Sequence, residues 1–365
     1  MHRTSAWLPW AFLALLTSAP ASGQEQPAPP PEPAPPSQPA PASETPRPWK
    51  ISGLIFGDYY DFAQHDEPDW DGQQGFWFRR IYFTYDHTFS PRLTTRLRLE
   101  ANSSGRLEDS RLTPYVKDAY LRWTLGGKHQ LFLGIQATPT YEFWESIWDL
   151  RYIEKSPQDL YRIDTTRDFG VGLYGPLGGS ETLRYGVQFG NNSGQGSEVD
   201  SGKGGRAALR YLRNPGWFVE GVYAWLARPS GEDRQIAQAF AGFRRPRGRV
   251  GLLYVWQQRR MPDDSMDLDL DTISAFGVYH VVPKRWTIFG RVDRFADPNP
   301  DGPRTDYLPI DARAPYALTI AGVEYSVVET FRISPNVEWV AYDDIDADRQ
   351  VDDTIVARVT FFWSW

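Results

Sequence analysis

Leu93-Thr94-Thr95-Arg96-Leu97-Arg98-Leu99-Glu100-Ala101 alternates between two kinds of side chain. Successive residues of an extended chain point to opposite sides, so Leu93, Leu97, Leu99 and Ala101 share one face and Thr94, Arg96, Arg98 and Glu100 the other. The same period recurs where Ile81, Phe83, Tyr85 and Phe89 alternate with Arg80, Tyr82, Thr84 and Asp86. Leu183, Tyr185, Val187 and Phe189 repeat it against Arg184, Gly186, Gln188 and Gly190. The closing segment sets Ile355, Ala357, Val359, Phe361, Trp363 and Trp365 against Arg358, Thr360 and Ser364. Each segment predicts a strand with one greasy and one wet face.

A soluble sandwich also alternates, so the connections decide. From Trp49 onward, tight turns at 90–92, 126–128, 176–180, 214–216, 245–248, 283–284 and 329–330 take turns with long polar stretches at 63–74, 102–115, 137–167, 191–204, 226–234, 259–271, 296–315 and 343–352. Short turns at one rim and long loops at the other are the mark of an outer-membrane barrel. The reading is therefore all-β: a transmembrane antiparallel β-barrel of about 16 strands, with short periplasmic turns and long extracellular loops. Closure is required because unpaired backbone groups in lipid are costly. Trp77, Trp123, Trp217, Trp225, Trp256, Trp286 and Trp339 lie near strand ends, as interfacial girdles require. Phe361, Trp363 and Trp365 form a final aromatic strand that resembles the assembly signal handed to the barrel assembly machinery.

Residues outside the barrel read differently. His2 and Arg3, the apolar residues 8–16 and the small residues 19–23 predict a signal peptide over 1–23, cleaved after Gly23. Its apolar run is shorter than the roughly 20 residues that a spanning helix needs. Residues 24–48 are rich in proline and alanine and predict an extended periplasmic spacer, followed by the barrel over 49–365. The expected location is the bacterial outer membrane. The chain carries 39 lysines and arginines against 46 acids, so nothing suggests nucleic acid. It has no cysteine, which excludes a disulfide framework, a thiolate metal site and a lipidated amino terminus.

A barrel of this size has a lumen too wide for side chains to fill. Residues 137–167 form the longest loop and hold Trp144, Trp148, Tyr152 and Tyr161, so this loop is expected to fold into the lumen and narrow it, with Glu142, Asp149, Arg151, Lys155, Arg162 and Arg167 facing the pore. By parity Arg80, Arg96, Arg98, Arg122, Arg184, Arg206, Arg210 and Arg358 line the pore, with Arg291 and Arg332 in less regular strands. Arginine presents a fork of donors to anions. Asp86, Glu100, Asp118, Glu220, Asp293, Glu324 and Glu338 share that face, so wall pairing is the alternative for each arginine.

Several motifs resemble the phosphate-selective porin O and P family: 76–83 (FWFRRIYF), 117–123 (KDAYLRW), Leu133-Gly134-Ile135-Gln136 with Pro139 and Glu142, Glu154-Lys155-Ser156 and Arg167-Asp168-Phe169-Gly170. The likeness is strongest over 75–175 and architectural afterwards. It implies a homotrimer of 16-stranded barrels, a third loop at the constriction, and arginines and lysines that favour anions. This chain departs from the pattern through few lysines and many carboxylates in the third loop.

The expected function is passive diffusion of small hydrophilic solutes with a preference for anions, which the resemblance extends to phosphate, without enzymatic activity, cofactor or metal. His2, His65, His87, His129 and His280 have no metal-ligand spacing, and the acidic run 263–271 lacks the glycine and terminal glutamate of an EF-hand. Expected partners are outer-membrane lipid and lipopolysaccharide, the assembly machinery, two further copies of the chain and small anions. The alternatives are an adhesion barrel attached to the cell wall and an outer-membrane hydrolase.

Overall fold

A computed structural model describes residues 48–102, 112–196, 201–213, 216–228, 231–261, 267–298, 308–311, 314–343 and 351–365. The expected signal peptide and nearly all of the spacer lie outside them. Sixteen strands follow one another: β1 (Trp49–Gln64), β2 (Gln74–Ser90), β3 (Leu93–Asn102), β4 (Thr113–Thr124), β5 (Gln130–Ala137), β6 (Arg167–Leu177), β7 (Ser180–Gly190), β8 (Gly204–Arg213), β9 (Trp217–Leu226), β10 (Asp233–Arg245), β11 (Gly248–Arg260), β12 (Leu268–Val282), β13 (Trp286–Phe295), β14 (Tyr316–Val328), β15 (Phe331–Tyr342) and β16 (Thr354–Ser364). Each pairs antiparallel with its sequence neighbours, and β1 pairs with β16 to close the barrel. The alternation of tight turns and long loops is as the sequence predicts. No helix among the described residues is long and apolar enough to cross a membrane.

The outer face is apolar. On β9, Trp217, Val219, Tyr223 and Trp225 are exposed outward while Phe218, Glu220, Val222, Ala224 and Leu226 are buried inward. This corrects the expectation of one wet face per strand. Phe218, Phe240, Phe276 and Phe289 all point inward from β9, β10, β12 and β13 and are buried. They do so because an apolar segment, described below, fills that half of the lumen.

One irregularity shapes the wall. Between β1 and β2 the register shifts where Phe56 pairs Arg80 and Gly57 pairs Phe78, leaving Arg79 as an extra residue. Arg79 and Arg80 are consequently both buried. Trp77 turns in with them, donating to Asp58 Oδ2 at 3.0 Å and stacking on Tyr60, so it is not part of the outer girdle. Trp123, Trp217, Trp225, Trp286 and Trp339 are exposed outward as expected. Gly57 is required at the shift, since a Cβ there would sit 2.2 Å from the Trp77 carbonyl oxygen. Gly57→Val is expected to destabilise the barrel by about 1–3 kcal/mol through overpacking, read as a lower urea midpoint in lipid vesicles. An unchanged midpoint would mean that the shift relaxes without cost.

Closure is made by main chain and ring together. Gly53 and Trp365 exchange two backbone hydrogen bonds of 3.1 Å, and the Trp365 indole covers Gly53. Phe361 and Trp363 stack on each other and meet Phe78 edge to face.

Candidate channel constriction

The link between β5 and β6 carries two helices, α1 (Pro139–Trp148) and α2 (Pro157–Leu160). Pro139 at the start and Glu142 in the first turn favour α1, because proline lacks a donor that would be orphaned there and a carboxylate complements the helix dipole. Asp149 ends it in a left-handed conformation, φ 52°. Trp144 and Trp148 are fully buried. Trp144 and Trp148 meet Phe276 at 5.3 and 5.2 Å, Trp148 meets Phe289 at 6.2 Å, and Phe143 meets Phe218 and Phe240 at 5.3 and 5.7 Å. Such ring pairs add about 0.5–1.5 kcal/mol each beyond area burial.

Polar anchors fix the rest of the segment to the wall. Asp58 on β1 accepts from Arg79 at 2.7 Å, from Thr360 at 2.6 Å and from Arg358 at 3.4 Å. Arg79 in turn donates to the carbonyl of Ile153 at 2.7 Å and also to that of Tyr152. Arg291 binds Asp293 and the Lys155 carbonyl, Gln257 donates to the Ile163 carbonyl, and Gln238 donates to the Thr140 carbonyl at 3.0 Å. Tyr152 donates to Glu324 and packs on Phe362 at 5.0 Å. Burial works against ionisation of Asp159, but Lys155, Arg151 and neighbouring cations outweigh it and hold the carboxyl at about 2. Burial opposes Asp164 likewise, and Arg206 together with hydrogen bonds keeps it below its ordinary value.

Two cavities border this segment. One, of about 430 Å³, lies along β3 to β9 and is lined by Arg96, Arg98, Arg122, Arg167, Arg184 and Arg210 against three carboxylates, Asp118, Glu142 and Glu220. The other, of about 1410 Å³, lies at the short-turn rim and sets Arg213, Arg244, Arg245, Arg249, Lys284 and Arg332 against Asp149, Glu181 and Glu324. Arg184 pairs directly across strands with Arg210, and Arg244 with Arg249. Like charges in such positions repel. Glu181 and Glu220 offset Arg184 and Arg210, and Asp149 approaches Arg249, yet among the described residues lysine and arginine outnumber carboxylates along both walls although the chain is acidic overall.

The expected pore-lining arginines divide accordingly. Arg96, Arg98, Arg122, Arg184 and Arg210 border the smaller cavity. Arg80, Arg206 and Arg358 have the right parity but are buried in ion pairs: Arg80 with Glu100, Arg206 with Asp164 and Asp168, and Arg358 with Asp58 and Glu338. Desolvated guanidiniums need such partners, so these three are wall clamps. Within the segment Glu142 and Arg167 border the smaller cavity and Asp149 the larger. Arg151 instead ties Glu145 and Asp159 together, Lys155 is buried, and the Arg162 side chain is exposed away from both cavities. Arg79, Asp58, Tyr120, Phe132 and Tyr174 were not singled out by parity; a bulge hides Arg79, Asp58 follows the regular alternation of β1 with Phe56 and Tyr60 but gains its role only from partners on β2 and β16, and an inward aromatic looks like an outward one until neighbouring strands fix its register.

No protein-family model matches the chain, and no curated protein matches it. Solved structures do. An anion-selective porin from Comamonas acidovorans superposes with TM-score 0.65 at 11% identity, over 87% of this chain and 99% of that one. OmpF of Salmonella typhi, in complex with daunomycin, gives TM-score 0.64 at 13% identity over 87% and 97%. OmpT of Vibrio cholerae gives TM-score 0.62 at 11% identity over 87% and 97%. The likeness is one of shape: the chain has the fold of the outer-membrane porins.

Proposed function

We propose that this chain is an outer-membrane porin through which small hydrophilic solutes diffuse passively, with a preference for anions. The observation that carries the reading is the excess of arginine and lysine over carboxylate, six to three, in each cavity beside the inserted segment. Inside a narrow passage charges are less screened than on an open surface, so the local sign governs. Phosphate selectivity and a homotrimer, both implied by the sequence resemblance, belong to the same proposal, as do export through a cleaved signal peptide, the spacer and the assembly role of Phe361, Trp363 and Trp365.

The test is the reversal potential of planar bilayers in a potassium chloride gradient. Chloride is expected to be the more permeant ion. Replacing Arg96, Arg122 and Arg184 together by glutamine is expected to lower the chloride-to-potassium permeability ratio at least twofold. Cation preference in the unmodified protein would overturn the proposal.

A further inference from the structure

The smaller cavity is not lined by charge alone. Tyr120, Phe132 and Tyr174 form a row of rings along β4, β5 and β6, with Tyr120 to Phe132 at 5.2 Å and Phe132 to Tyr174 at 5.3 Å, the second pair edge to face at 78°. All three rings line the cavity, so a solute in it meets aromatic surface. Two glycines make the row possible. Gly172 pairs with Phe132 and Gly186 with Tyr174, and a Cβ on either would come within 2.7 or 2.8 Å of the Tyr174 ring. Without those side chains Tyr174 lies against the wall.

Arg122 stands directly across from Phe132 in the β4–β5 register. Cross-strand neighbours of this kind bring their Cβ atoms within roughly 4.5–5.5 Å. The other five arginines around the cavity have acids: Arg96 holds Asp86, Arg98 and Arg167 share Asp118, Arg184 holds Glu181, and Arg210 holds Glu220. Arg122 donates to Thr94 Oγ1 at 3.0 Å, and among the described residues no carboxylate lies within ion-pair distance of it. A guanidinium without an acid thus sits at the end of an aromatic row.

We infer that this wall is a binding site for planar aromatic carboxylates, with the ring against Phe132 and Tyr174 and the carboxylate on the Arg122 guanidinium. The inference rests on the channel reading and names a solute class for it. A small inorganic anion would use Arg122 and gain nothing from the rings, and an uncharged ring would use the rings and leave the cation unpaired. An aromatic carboxylate uses both, through a forked charge-assisted hydrogen bond and stacking.

The probe is 4-fluorobenzoate, followed by fluorine NMR against the full chain in detergent micelles, with folding of each variant checked by heat-modifiable mobility. Saturable line broadening is expected with the unmodified protein and with Phe132→Tyr. Binding is expected to weaken at least fivefold in Arg122→Gln, in Phe132→Leu, and when 4-fluorobenzyl alcohol replaces the carboxylate. Equal broadening by both variants and the unmodified protein, or equal binding of the alcohol, overturns the site. A bilayer arm separates the two readings. Benzoate is expected to reduce chloride current at concentrations at least fivefold below acetate. Equal block by benzoate and acetate in an anion-selective channel overturns the site and leaves the channel standing; fluorobenzoate binding without any current supports the site and overturns the channel.

Discussion

Asp58→Ala is expected to destabilise the folded barrel by about 3–5 kcal/mol, the range for removing one partner from a buried charge network. Asp58 is fully buried and receives Arg79, Arg358, Thr360 and Trp77. Alanine leaves two buried guanidiniums short of a counter-charge. Asp58→Asn keeps an acceptor without the charge and should fall between. Unfolding in urea from lipid vesicles measures the effect, and a midpoint within error of the unmodified protein would mean that Glu154 and Glu338, already near Arg79 and Arg358, compensate fully.

Trp144→Ala combined with Trp148→Ala is expected to do two things at once. Truncating a buried tryptophan costs about 3–5 kcal/mol, and the two rings touch at 5.9 Å, so the pair should lose less than the sum of the singles. The second effect is on current. With α1 no longer seated on Phe240 and Phe276, the segment should withdraw from the lumen and single-channel conductance should rise at least twofold. Planar-bilayer recording reads this directly. A destabilised barrel with unchanged conductance would show that the passage is limited elsewhere, along β3 to β9.

Much of the architecture was legible because a closed barrel repeats one rule. Alternation fixes which face of a strand is apolar, and the odd-even order of turns and loops excludes a sandwich; both survive in the strands and their pairing. Parity also placed Arg96, Arg98, Arg122, Arg184 and Arg210 inward. Parity does not tell an inward arginine that meets water from one that meets a partner on the wall. Arg80, Arg206 and Arg358 share that parity, yet whether such an arginine meets water or a carboxylate depends on residues more than 15 positions away, as with Glu100, Asp164 and Asp58. The apolar inner faces of β9 to β13 were written in Phe218, Phe240, Phe276 and Phe289, but their purpose was invisible until α1 lay against them. Trp77 misled because a single extra residue, Arg79, moves it to the other side of the wall.

The anchor at Asp58 has a consequence for the order of events during assembly. Asp58 stands on β1 and its partners come from β2 and β16, and through Arg79 it reaches the carbonyls of Tyr152 and Ile153. Phe362, on β16, packs on Tyr152. The tip of the inserted segment therefore has no complete seat until the last strand has met the first. The contact between β1 and β16 that seals the wall is thus also the contact that completes the seat of the inserted segment, so a barrel with an open seam lacks part of the surface that holds this segment in place.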